Sequence, residues 1–426
     1  MNPKEIVIGL FGFGTIGAGV LDTLTRNGEV ISGKTGTKLT IKNIVDIDTT
    51  RDRGVKLGAT KLGSDKNAIL EDDSVSIVIE LIGGVGAARD IVTEALRKKK
   101  SVVTANKELI ARHGPELEAL ARANGVRLMF EAAVGGGIPI ITPLLACLRA
   151  NKINRVTGIV NGTTNFILTQ METEGASFGD VLKEAQARGY AEADPTNDVE
   201  GFDAAYKATI LASVAFGKYV DVASIYREGI TKISREEMNF AKELGYTIKL
   251  LAALENREEG ADVRVHPALL PKTHPLASVN GVLNAVYIEG DPIGPLMFVG
   301  EGAGPNATSS AVVGDVIAIA TGCFDIEDPP ITFVKSDLIP IENVDNAFYL
   351  RMRVEDRPGV LADISRCLGD CQVSIASLVQ HLAQDGSAEI VWLTHVTNEG
   401  NMKEALENIR KLDCVDDILS VIRVYE

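Results

Sequence analysis

Residues 5–24 read EIVIGLFGFGTIGAGVLDTL: an apolar β-branched run, three glycines spaced G-x-G-x-x-G, and an apolar helical repeat. Gly12 permits a tight bend, Gly14 keeps a Cβ out of the way of a pyrophosphate, and Gly17 lets the helix lie close on the strand. Ile16, Val20, Leu21 and Leu24 share one helical face, so the glycines sit between a strand and an amphipathic helix. The N-terminus of that helix offers N–H groups and a positive dipole end to a phosphate. The stretch predicts a dinucleotide-binding turn, with a purely structural glycine turn as the alternative.

Outward from this turn the chain keeps the same rhythm. Up to about residue 130, short β-branched runs (IVIGLFG, LTIKNIVDID, VSIVIELIG, SVVTA, VRLMFEAA) alternate with helical stretches. That is the pattern of an α/β fold with a Rossmann-type doubly wound parallel sheet, expected over residues 1–134. Residues 135–324 are mixed, with helices expected near 139–150, 177–188, 200–215 and 234–244 and strand-like runs VTGIVNG, DVRVHPALL and NAVYIEG. A central α+β substrate-binding and dimerisation domain is expected there, its last helix, about 306–322, returning to the first domain. Residues 325–345, with Pro329, Pro330 and Pro340, read as a linker. Residues 346–426 run strand, helix, strand, strand, helix, strand, a βαββαβ plan of ferredoxin type.

The composition narrows the function. In 426 residues, 43 basic against 58 acidic side chains leave a net charge of -15, which argues against a nucleic-acid or anionic-membrane partner. Five scattered cysteines form no CxxC or zinc-type spacing and are expected to be reduced thiols of a cytoplasmic protein. No apolar run approaches the ~18 residues of a membrane span, and nothing resembles a signal peptide.

Candidate chemistry lies at four places. The second strand ends IVDID, where an acid can hydrogen-bond the ribose of NAD. Asp46 is the candidate, farther from Gly17 than the usual ~20 residues because of the intervening NGEVISGKTGTK. Asp48 competes with it, both acids fit a simple turn, and Arg51 and Arg53 keep NADP open. SVVTANKELI ends a strand at Thr104 or Ala105 and starts a helix at Lys107, on the carboxyl edge where ligands bind in such sheets. A lysine in a first helical turn opposes the macrodipole, which favours an anionic or reacting partner for Lys107. In RGYAEADPTNDVEGFDAAYKATILASVAFG, Glu192, Asp194 and Asp198 lie in a Pro-containing loop, and Asp203 and Lys207 follow at i,i+4. The apolar run after Lys207 marks a buried helix, so these groups are expected to face a cleft rather than form a surface ion pair. There carboxylates would hold an ammonium group and Lys207 would exchange a proton with a hydroxyl or carbonyl oxygen. Two glycine-rich turns remain: FEAAVGGGIPI, whose carbonyls beside Glu131 suit a hard cation but which by itself reads first as a turn before a helix, and GEGAGPNATSSAVVGD, able to close over the cofactor.

Together GFGTIG, TANK, EAAVGGGIP, NGTTNFIL, GYAEADPTNDVEGFDAAYK and GEGAGPNAT, in this order, resemble the homoserine dehydrogenase family from the first strand to the C-terminus. The resemblance implies NAD(P)-dependent interconversion of L-homoserine and L-aspartate 4-semialdehyde, a step toward threonine, methionine and isoleucine. It implies that Lys207 is the proton donor, that Glu192 and Asp203 hold the substrate, and that Lys107 sits between nicotinamide and substrate. Phe13, Thr15, Ile16, Gly302 and Ala303 would line the cofactor. A monovalent cation, sodium, would be held by the backbone of Val134, Gly136 and Ile138, with Glu131 beside it. Many family members carry an arginine near the position of Asp46 to meet the NADP 2′-phosphate, so the acid here shifts the expectation toward NAD. The last segment, with EDRPGVLADIS at 355–365, resembles an ACT domain, a module that binds amino acids between paired copies. This implies a homodimer or homotetramer with threonine as effector, and the Pro358–Gly359 turn can offer N–H groups to its carboxylate. A non-catalytic sensor of dinucleotide and amino acid is the alternative.

Overall fold

The computed structural model describes residues 3–323, 333–382 and 387–425; the part of the linker with Pro329 and Pro330 lies outside the described residues. The chain divides into two compact units, one of residues 1–162, 205–224 and 283–336, the other of residues 163–204, 225–282 and 337–426. The segment 135–324 is thus distributed over both.

In the first unit six parallel strands run in the order Lys61–Gly63, Thr37–Val45, Lys4–Phe11, Val75–Glu80, Ser101–Thr104, Leu128–Met129. The doubly wound sheet expected from the alternation is there. Its order reverses beside Lys4–Phe11, so a crevice opens at the carboxyl end of that strand, at the glycine turn. Gly12 takes φ 90°, and a Cβ on it would stand 2.5 Å from the Leu81 carbonyl oxygen; one on Gly17 would stand 2.2 Å from that of Gly12. Both glycines are therefore required by backbone crowding. Val20, Leu21 and Leu24 of the helix Thr15–Thr35 pack on Ile8, Leu10, Ile77 and Ile79, and Val312 and Val316 of the helix Pro305–Thr321 join this core. A second, antiparallel sheet in this unit joins Lys152–Ile159 to Leu283–Asp291 and that strand to Gly294–Glu301. The helix expected near 139–150 is confined to Ile141–Leu145, after which the chain folds into turns, with Leu148 N–H on the Pro143 carbonyl and Asn151 N–H on that of Leu148.

In the second unit Tyr246–Arg257 and Gly260–Pro271 form a hairpin across Glu258 and Glu259. The strand Val415–Val424 continues its sheet in parallel through Ala268↔Arg423 and Leu269↔Val424, followed by Asp345–Glu355, Ser387–Thr394 and Ile375–Leu382. With the helices Val360–Asp370 and Glu399–Ile409 over Leu350, Met352, Ile390 and Trp392, this is the expected βαββαβ arrangement.

Candidate active site

The helix Thr15–Thr35 begins at Gly14 with no side chain capping it, and a Cβ on Gly14 would meet nothing within 4 Å. Phe13 is buried, Ile16 half-buried, and Gly14 and Thr15 are exposed. Phe13, Gly14 and Thr15, but not Ile16, open on a cavity of about 610 Å³ whose walls include Ala18, Asp22, Arg51, Arg53 and Pro305. Its size is that of a small-molecule pocket. An uncapped helix N-terminus, a glycine with open space before it and the exposed Arg51 form a donor set that fits a dinucleotide.

Asp46 follows the strand Thr37–Val45. Its Oδ2 accepts the Phe13 N–H at 2.5 Å and its Oδ1 that of Asp48 at 2.8 Å. Arg53 braces the same turn: Nη2 stands 3.6 Å from Asp46 Oδ1, Nε donates to the Phe13 carbonyl at 2.7 Å, and the guanidinium lies 5.2 Å from the Phe13 ring centre. Asp46 thus pins the glycine turn to the second strand. Asp48 closes its own loop, where the backbone N–H groups of Arg51 and Thr50 hold its carboxyl below the usual range.

The two glycine-rich turns, distant in sequence, meet. Gly136 has φ 55°, and a Cβ there would lie 2.4 Å from the Gly302 carbonyl oxygen and 2.9 Å from the Ala303 nitrogen, while Gly137 N–H donates to the Glu301 carbonyl. The Glu131 carboxylate accepts three consecutive N–H groups, Ile140 at 2.6 Å, Ile141 at 2.8 Å and Thr142 at 2.7 Å. It caps the helix Ile141–Leu145, and its own N–H donates to Asp315 Oδ2 at 2.8 Å. Burial pushes the Asp315 carboxyl well up. Among the described residues no group of three or more His, Cys, Asp or Glu could hold a metal.

Thr104 ends its strand buried, its hydroxyl donating to Glu80 Oε2 at 2.6 Å. Glu80 also accepts Ile82 N–H at 2.8 Å, and burial raises its carboxyl above the usual range. Asn106 caps the next helix through Leu109 N–H and donates to the Gly84 carbonyl. Lys107 thereby stands exposed at the first position of the helix Lys107–Ala123. The roles of Glu80 and Asn106 went unread in the sequence; the only sign of Glu80 was an acid ending an otherwise apolar strand.

Asp203 and Lys207 lie one turn apart on the helix Phe202–Phe216, each less than a tenth exposed. Lys207 Nζ donates to the Val160 carbonyl at 2.6 Å. The surrounding Ala204, Ala208, Ile210, Leu211 and Ala212 are buried, so the helix is apolar on nearly every side. In the loop before it Glu192 and Asp194 are exposed and Asp198 is half-buried. Asp194 accepts both the hydroxyl and the N–H of Thr196, which hold its carboxyl down. Gln186 Nε2 donates to the Glu192 carbonyl at 3.1 Å and fixes the backbone there.

Residues 12–131 match the family described as homoserine dehydrogenase, NAD binding domain; residues 139–317 match homoserine dehydrogenase, and residues 348–414 match the ACT domain. A homoserine dehydrogenase of Neisseria gonorrhoeae is 41% identical over 430 residues, covering 99% of each chain, and that of Synechocystis is 43% identical, covering 98% of this chain and 99% of its own. The chain belongs to the homoserine dehydrogenase family. A solved homoserine dehydrogenase from Thiobacillus denitrificans matches with a TM-score of 0.95 at 43% identity, over 100% of this chain and 99% of that one. A hyperthermophilic archaeal homoserine dehydrogenase in complex with NADPH matches with a TM-score of 0.62 at 28% identity, over 76% of this chain and 100% of its own. As a homoserine dehydrogenase family member, the chain is an NAD(P)-dependent oxidoreductase with a C-terminal ACT domain, and a non-catalytic sensor is not favoured.

Proposed function

We propose that the family's reaction, interconversion of L-homoserine and L-aspartate 4-semialdehyde, runs here with Lys207 as the proton donor to the carbonyl oxygen. The observation that carries this is a lysine held in an apolar helix by the Val160 carbonyl, one turn after a buried acid. When bound, the nicotinamide supplies or takes the hydride at the substrate carbon. Lys207 gives its proton to the developing alkoxide, and takes it back in the reverse direction. Glu192 and Asp203 hold the substrate ammonium group, which selects an amino acid over a plain hydroxy acid. Asp194 shapes the loop before the helix Thr196–Val199, Asp198 lies within that helix, and Lys107 stands beside nicotinamide and substrate. Lys207→Ala is expected to lower kcat for homoserine oxidation about 10²–10⁴-fold with NADPH binding retained; normal turnover by the folded variant would refute the assignment.

Asp46 accepts one N–H on each carboxylate oxygen, from Phe13 and Asp48, and keeps acceptor sites for a ribose hydroxyl of NAD. Arg51, exposed on the wall of the cavity at the glycine turn, supports use of NADP as well by meeting the 2′-phosphate, while Arg53 braces the turn beside it. Sodium is assigned to the carbonyls of Val134, Gly136 and Ile138. Threonine is assigned to the ACT domain, where Gly359, at φ 99°, starts the helix Val360–Asp370 with no side-chain cap. A homodimer or homotetramer is supported by the apolar surface near the edge strand Gly294–Glu301, where Leu283, Ile293 and Val299 are exposed. Five free thiols fit a reducing cytoplasm.

A further inference from the structure

Where Asp203 stands is decided by the turn before it. Between the helices Thr196–Val199 and Phe202–Phe216 the chain bends through Glu200 and Gly201, and Gly201 takes φ 78°. A Cβ on Gly201 would lie 3.2 Å from Val265 Cγ1 and 3.4 Å from Arg227 Cγ. The Ile230 N–H donates to the Val199 carbonyl at 2.8 Å, and Thr231 Oγ1 donates to Glu200 Oε1 at 3.0 Å. Arg227 holds both sides of the bend: Nη1 donates to the Glu200 carbonyl, and the guanidinium stands 3.4 Å from the centre of the Phe202 ring. Asp203 is the next residue.

Arg227 belongs to a strand of two residues, Tyr226–Arg227, paired with Gly260–Pro271 only through Arg264↔Tyr226 and Val265↔Arg227. Alternate residues of a strand face opposite sides, and here the two sides hold different partners. The Tyr226 hydroxyl donates to Glu228 and accepts from Arg423 Nη2 at 2.9 Å, with the Arg423 guanidinium 4.6 Å from the Tyr226 ring centre. Arg423, nearly buried, also bonds Glu399 through Nε and Nη2 and Glu228 through Nη1. Arg423 and Glu399 are part of the βαββαβ segment. A cavity of about 660 Å³ runs along these groups, with Glu200, Arg227 and Arg423 among its walls.

We propose that Arg227 is the positioning residue for Asp203, and that the strand Tyr226–Arg227 carries the state of the ACT domain to it. With two ladder pairs this strand has little rigidity of its own, so a shift of Arg423 against Tyr226 is passed to Arg227 and to the Glu200–Phe202 bend. The proposal rests on the reading of Asp203 as a substrate-binding acid.

The test is a double-mutant cycle in the full-length enzyme. Arg227→Ala is expected to raise KM for homoserine about tenfold, with kcat within about twofold and NADPH binding unchanged. In an Asp203→Ala background the same substitution is expected to change kcat/KM by less than about twofold, because the residue acts through Asp203. Equal losses in both backgrounds would overturn the proposal and leave the role of Asp203 standing. An Asp203→Ala enzyme with an unaltered KM would instead remove the reading beneath it. Arg227→Lys keeps the stem over Gly201 and the charge; it is expected to restore part of the affinity, and it serves the same cycle if the alanine variant does not fold. Tyr226→Phe removes the hydroxyl from Arg423 and Glu228 without touching Glu200 or Phe202. It is expected to raise the same KM severalfold, and an unchanged KM would overturn the link to the ACT domain.

Discussion

Replacing Lys249 with methionine separates two opposing effects that meet on one buried side chain. Lys249 sits in the strand Tyr246–Arg257 with none of its surface exposed. Its ammonium donates to Val279 O at 2.7 Å, Asn280 Oδ1 at 2.9 Å and Asn165 Oδ1 at 3.0 Å, none of them a carboxylate. Burial pushes its pKa from 10.5 down to about 8, with the charge of Glu172 acting weakly the other way. Between pH 8 and 10.5 the unfolded chain therefore binds one more proton than the folded one, and stability rises with pH across that window. The penalty is complete below pH 8 and fades as pH approaches 10.5. A shift from 10.5 to about 8 corresponds to about 3 kcal/mol at pH 7, of which about 2 kcal/mol is relieved by pH 9.5. Methionine keeps the stem and removes the titration. It also removes hydrogen bonds, but Asn280 is exposed to water and Val279 O keeps the Asn165 Nδ2 donor at 3.1 Å. The main loss is the donor to Asn165 Oδ1, worth about 1–3 kcal/mol. Gain and loss nearly offset at pH 7, so Lys249→Met is expected within about 2 kcal/mol of the wild type there. The pH dependence does not offset. Urea unfolding followed by circular dichroism, at matched protein concentration and at pH 7, 8 and 9.5, should show the difference moving by about 2 kcal/mol in favour of the wild type. A flat difference, or one moving toward the variant, would refute the reasoning.

Three further substitutions test the dinucleotide end. Gly136→Ala forces a Cβ within 2.4 Å of the Gly302 carbonyl at a left-handed φ, and should lower the thermal midpoint by a margin equal to about 1–3 kcal/mol of strain. Gly14→Ala, which meets open space at φ -75°, should leave the midpoint unmoved and raise KM for the cofactor; the reverse pattern would misassign both turns. Arg51→Ala should raise KM for NADP at least about tenfold more than KM for NAD; equal effects would remove Arg51 from 2′-phosphate recognition.

Residues 5–24 reveal the fold because everything the doubly wound crossover needs there is local: an apolar strand, glycines where backbone crowds backbone, and a helix stripe that meets Ile8 and Leu10. The division of the middle segment was not legible. It depends on pairings such as Ala268↔Arg423, between strands that each read only as apolar runs, and a pattern of period two does not name its partner. The helix Gly162–Glu174 was hidden for another reason. Thr163, Thr164 and Asn165 are poor helix formers, and residues 163 to 169 are all buried, so no stripe forms for periodicity to detect.

The acids of the site show the limit of reading chemistry from residue type. Asp46, Glu80 and Asp194 each bind a backbone N–H two residues on, the local geometry of turn acids. Glu131 performs the same service for N–H groups nine to eleven residues away, which no local spacing foretells. A carboxylate near a loop always has N–H groups within reach, so its presence there says little about a substrate. A lysine inside an apolar helix is in the opposite position: the helix has already used its interior carbonyls, and its alanine, isoleucine and leucine neighbours offer no acceptor. Its charge calls for polar groups brought to it, as the Val160 carbonyl is brought to Lys207, with the buried Asp203 one turn earlier on the same helix. That requirement, and not the count of acids around it, made ATILASVAFG after Lys207 the more telling sign of a site, and it is why loss of Lys207 should strike turnover while loss of Asp194 should mainly loosen its loop.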